Sequence, residues 1–147
     1  MSLPLEKQVC SPDRAKRLKE LGVKQESLFV WSAWSDHAPA EHTDCHELHW
    51  EVTPKHEGSL GERYSAFTVA ELGEMLPKSF RDEQRIKWFV AFHWSPVGAR
   101  VSYENADEIE LHALVEATEA DARAKMLIYL IENNLLKVEQ INQPYSP

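Results

Sequence analysis

The sequence predicts a single α+β domain: an antiparallel sheet of four to five strands with three helices, in the order α-β-β-α-β-β-(β)-α. Three observations carry that expectation. Capping chemistry marks helix starts at three places. Apolar residues alternate with period two in several intervening runs. A Ser-Pro-Val-Gly turn at 95–98 joins two such runs into an antiparallel hairpin. With 147 residues, 43% of them hydrophobic, the chain is long enough for one sizeable core, and residues 1–10 and 138–147 are expected to be flexible or loosely packed ends.

The first helix is expected at 12–21. Ser11 can cap it, Pro12 suits the first helical position, Asp13 complements the positive helix end, and Gly22 supplies the left-handed stop. Ala15, Leu18 and Leu21 form its apolar stripe. "SLFVWSAW" at 27–34 has β-branched and aromatic residues on both alternating faces, as an inner strand does. A loop, "SDHAPAEHTDC", follows at 35–45. At 47–53, Leu48, Trp50 and Val52 alternate with Glu47, His49 and Glu51, which describes a strand with one wet face. Beyond a polar connector at 54–62, Thr68 and Glu71 form a capping box, with Phe67 and Leu72 placed as a hydrophobic staple for a helix at 69–76 that ends at Pro77.

In the second half, 86–94 alternates Ile86, Trp88, Val90, Phe92 and Trp94 against Lys87, Phe89, Ala91 and His93, a long and mostly buried strand. A four-residue loop at 95–98 returns it as "ARVSYE". The segment 108–117 alternates as a strand although its composition also suits a helix; the alternation is given the greater weight. Thr118 and Asp121 form a capping pair for a last helix, with apolar residues at 120, 124, 127, 128 and 131, stopping near Asn133 and Asn134.

A net charge of −8 disfavours nonspecific nucleic-acid binding, which needs cations to neutralise phosphates. The basic run "DRAKRLKE" reads as a solvated helix face. No apolar run is long enough to span a bilayer or serve as a secretory signal, so a cytoplasmic protein without membrane association is expected. In such a setting Cys10 and Cys45 are expected as free thiols.

Three segments, "AKRLKELGVKQESLFVW", "SAFTVAELGEMLP" and "EADARAKMLIYLIENNLL", resemble boxes found in small proteins encoded by bacteriophages and prophages that have no assigned biochemical function. The resemblance implies a mobile-element origin and the cytoplasm of a bacterial host, but no catalytic residues.

The most chemically suggestive stretch is "EHTDCHELHWE" at 41–51. His42, His46 and His49 would share one face of a helix, a spacing that can bring imidazoles to a zinc ion, whereas a strand over 47–53 leaves His49 on a wet face and the others on a loop. A solvated loop is the simpler reading, and no cofactor is expected; a surface that changes with pH is a further alternative. Cys10 lies one residue before a cap and is expected to be packed or simply exposed. Glu108, Glu110 and Glu116 are read as a strand's solvent face, and His93 and His112 as satisfied or half-buried structural histidines. Phosphate-binding glycine loops and nucleophile elbows do not occur in the sequence.

Five tryptophans (31, 34, 50, 88 and 94) are expected mainly in the core. If one sheet face lacks a helix, Trp34, Phe89 or Trp94 would form an exposed aromatic contact surface. The function expected is therefore that of a noncatalytic accessory protein engaging an unknown host or phage protein. A small metal-dependent enzyme at His42, His46 and His49, or an antitoxin-like regulatory module, are the alternatives.

Overall fold

A computed structural model describes residues 4–35, 48–54 and 63–143, with backbone only at 33–35 and 48–49. The described chain is α+β. It runs α1 (Leu5–Gln8), α2 (Pro12–Glu20), β1 (Phe29–Ser35), β2 (Leu48–Pro54), β3 (Arg63–Ser65), α3 (Val69–Met75), β4 (Ser79–Arg81), β5 (Lys87–Ser95), β6 (Gly98–Glu104), β7 (Glu110–Glu116), α4 (Glu119–Glu132) and α5 (Val138–Asn142).

The strands divide between two antiparallel sheets, ordered β2-β1-β3 and β4-β5-β6-β7, where one sheet was expected. β1 is the inner strand of the first, as its two-faced apolar content requires, and Val30 and Trp31 are both buried. The additional strands β3 and β4 have three residues each, too few to show an alternation. Segment 108–117 is strand β7. The hairpin loop at 95–98 is tighter than expected, because Ser95 pairs with Gly98 and only Pro96 and Val97 turn the chain.

Helix ends follow their capping chemistry, with one long-range substitution. α2 stops in a Schellman motif: Gly22 has φ 95°, its N–H donates to Lys19 O, and the Val23 N–H donates to Leu18 O. α4 ends the same way, with Asn134 at φ 58° and the Leu135 N–H donating to Leu130 O. Thr68 and Glu71 form the full capping box of α3. The Ser11 side chain, however, makes no capping bond. Its N–H instead donates to the Asp121 carboxylate at 2.7 Å, so a residue expected to serve only its own helix joins the starts of α2 and α4.

α4 is buried more widely than a single stripe. Ala120, Ala122, Ala124, Met126, Leu127 and Leu130 are all buried, because α4 meets α2, α3, β6 and β7 on different sides. Ala122, Met126 and Leu130 lie outside the expected stripe for that reason.

The described parts of both ends make tertiary contacts. Val9 and Cys10 are buried, and the Cys10 N–H donates to Phe67 O. At the other end the Asn142 side chain accepts the Lys24 N–H and donates to Gly22 O, fixing α5 against the end of α2.

Two connecting turns share one local design. In "DEQRI" (82–86) Asp82 Oδ1 accepts the N–H groups of Gln84 and Ile86, and Arg85 has φ 65°. In "NADEI" (105–109) Asn105 Oδ1 accepts those of Asp107 and Ile109, and Glu108 has φ 61°. Each Asx side chain supplies the turn's acceptor while a non-glycine residue occupies the left-handed position.

Candidate functional site

The helices leave the far end of the second sheet uncovered. α4 packs on β6 and β7 and reaches the last residues of β5 through the side chains of Glu119 and Arg123. Trp94 belongs to the alternation that includes buried Trp88 and faces the helices, yet it is 66% exposed. At the hairpin tip Val97 is 80% exposed. Such apolar exposure has an energetic cost in water unless something covers it.

Between this overhang and the helix starts lies an open groove of about 690 Å³, within the range of small-ligand and side-chain pockets. Trp94, Pro96, Val97 and Ala99 form its hairpin wall; Val69 and Ala70 of α3 and Thr118 and Glu119 of α4 form the opposite wall; Leu5, Lys7 and Phe29 close it. Its geometry depends on Gly98, which has φ 145° and lies against the end of β7. A Cβ there would be 2.2 Å from Glu116 O, so only glycine lets the hairpin approach β7 and bring its tip beside α4.

Arg123 holds the helix wall. Its guanidinium donates to Val69 O at 3.2 Å and to Glu119 at 2.7 Å, and stacks over the Phe92 ring at 4.2 Å. The other Glu119 carboxylate oxygen accepts the Trp94 indole N–H at 3.3 Å. A continuous set of contacts thus joins α3, α4 and β5 around the groove. Gly73 makes room for it, since a Cβ there would lie 2.3 Å from Arg123 Nη1.

The groove's polar groups are turned to structural use. The Ser95 hydroxyl donates to Gly98 O, and the Thr118 hydroxyl accepts the Asp121 N–H. Lys7 is the groove's remaining cation and has no ion-pair partner among the described residues. Among the described residues lining the groove there is no paired nucleophile and base.

Of the expected site residues, Phe89 and Trp94 are described with their side chains. His42 and His46 lie outside the described residues. His49 is placed by its backbone on β2 opposite Trp34 of β1; the side chains of both are outside the described residues. Among the described residues no three His, Cys, Asp or Glu side chains converge as a metal site. Phe89 and Trp94 are both exposed, but strand alternation puts them on opposite faces of β5, so they do not form one aromatic patch. Phe89 shares its face with His93, Ser102, Arg100 and Val115, where Arg100 pairs with Glu110. His93, expected as a satisfied or half-buried histidine, is exposed.

Other candidates resolve into structural roles. His112 is half-buried and stacks on Tyr129 with ring centroids 3.7 Å apart; burial first, then Lys125, lowers its pKa. Glu116 pairs with Arg14 and Lys125. Cys10 is a free thiol whose pKa is pushed up to about 12 by burial, which leaves no thiolate near neutrality.

Sequence reasoning missed Leu5, Lys7, Val69, Val97 and Glu119 as parts of one site. The sequence signals were a valine at the tip of a tight turn and an arginine within the alanine-rich start of a helix, between Ala122 and Ala124. No family model, curated protein or solved structure matches the chain. No helix among the described residues is long and apolar enough to cross a membrane.

Proposed function

We propose that this protein is a noncatalytic binding module that takes an apolar side chain of a partner polypeptide into the groove between the β5–β6 hairpin and the starts of α3 and α4. The observation that supports this reading is the exposure of Trp94 and Val97 beside a concavity whose walls are fixed by Arg123 and Gly98. Aromatic residues set in preformed, rigid surroundings contribute disproportionately to polypeptide recognition. The accessory role in a phage or prophage, and the host or phage origin of the partner, rest on the three sequence boxes and are proposed with it.

A photo-crosslinking side chain placed at Val97 and, separately, at Val115 on the opposite sheet face tests the site in the full chain. The partner is expected to crosslink from position 97 and to lose that product with Trp94→Ala. Crosslinking from position 115 alone would assign recognition to the other face and contradict the proposal.

A further inference from the structure

Among the described residues, β5 presents an unpaired main-chain edge at the groove. β4 pairs only with Lys87, Trp88 and Phe89, and the last bond across that edge runs from the Val90 N–H to Lys78 O. In an antiparallel strand each residue turns its N–H and C=O to the same side, alternating along the chain. Val90 therefore sets the direction: the main-chain groups of Phe92 and Trp94 point away from β6, toward the side that β4 has left. They have no hydrogen-bond partner among the described residues. Trp94 and Ser95, at the end of this edge, also line the groove.

Unpaired strand edges are templates for another strand, and natural proteins commonly guard them with charge, proline or a bulge. The β5 edge at 92–94 has none: its residues are Phe92, His93 and Trp94, and the register with β6 from Phe89 to Ser95 is unbroken. The charge beside it is also specific. On a chain of net charge −8, the groove offers Lys7 without an ion-pair partner, whereas its carboxylate, Glu119, is already engaged by Arg123 and Trp94.

From these observations, and resting on the binding role proposed above, we infer that the partner is an extended polypeptide segment. It adds as a strand along β5 at Phe92 and Trp94, places alternate apolar side chains in the groove, and sets one carboxylate near Lys7. Main-chain bonds would supply strand pairing, and the groove would select side chains at every second position.

The test uses the full chain and a library of fluorescent octapeptides with free C-terminal carboxylates, with amidated copies of each binder. Binders are expected to carry apolar residues at alternate positions and to slow amide hydrogen exchange at Phe92 and Trp94. Trp94→Ala should weaken them by about thirtyfold, and Lys7→Gln by about threefold, the scale of an exposed ion pair. Loss of affinity on amidation assigns the carboxylate to the chain terminus, and retention with Lys7 dependence assigns it to a side chain. Binders that need Trp94 but leave exchange at Phe92 and Trp94 unchanged would overturn strand addition and preserve the groove. Binders indifferent to Trp94, or a library without binders, would overturn both, and indifference to Lys7→Gln would overturn the carboxylate assignment.

Discussion

Gly73→Ala sets two opposing effects against each other. Alanine in the interior of α3 is favoured over glycine by about 1 kcal/mol of helix propensity. Against this, the new Cβ would lie 2.3 Å from Arg123 Nη1, and the guanidinium must move. Its side chain is only 15% exposed, so movement disturbs established contacts rather than solvent. A hydrogen bond from a charged donor is worth about 1.5–3 kcal/mol, and a partly desolvated cation–π contact about 1–2 kcal/mol. Losing most of both outweighs the propensity gain, and a net destabilisation of about 1–3 kcal/mol is expected. Urea denaturation measures it directly. The double variant Gly73→Ala with Arg123→Leu should be less destabilised than the sum of its parts, because the clash is removed with the guanidinium. A Gly73→Ala protein more stable than wild type by the helix-propensity increment would refute the view that Arg123 is held rigidly in place.

Other positions give equally direct outcomes. Gly98→Ala should destabilise by about 2–4 kcal/mol, from its disallowed φ and the backbone contact with Glu116, measured by thermal unfolding. Arg85→Gly and Glu108→Gly should each stabilise by about 0.5–1 kcal/mol by relieving left-handed strain, read as a higher urea midpoint. His112 has a folded-state pKa below its ordinary value near 6.5, so the unfolded chain binds the proton more tightly. Its contribution to stability is complete above that value and is lost as pH falls toward the folded pKa; His112→Gln should flatten this part of the stability profile in denaturation at a series of pH values.

The extent to which the sequence was legible follows from the range of the interactions involved. The Thr68–Glu71 box and the Gly22 stop are encoded within a few neighbouring residues and are found where expected, and β5 is a strand as its alternation predicts, but only its Trp88 is buried where most of the strand was expected to be. The partition into two sheets depends on which strands meet, and three-residue strands such as β3 and β4 acquire their identity only from partners distant in sequence. Asp121 shows the same limit: next to Thr118 it reads as a local cap, yet its carboxylate serves Ser11 across 110 positions. The groove was least legible because its walls come from six elements. Trp94 follows the alternation of a buried residue, and only the placement of α4 over β6 and β7 leaves it exposed.

The central claim, that the groove beside Trp94 is the docking surface, is tested most directly by amide chemical-shift mapping of the labelled full chain with a library-selected octapeptide. The account predicts that the largest changes fall at Leu5, Val69, Trp94, Ser95, Val97 to Ala99 and Thr118 to Glu119. Changes centred on Phe89, His93 and Val115, with the groove residues unmoved, would contradict it.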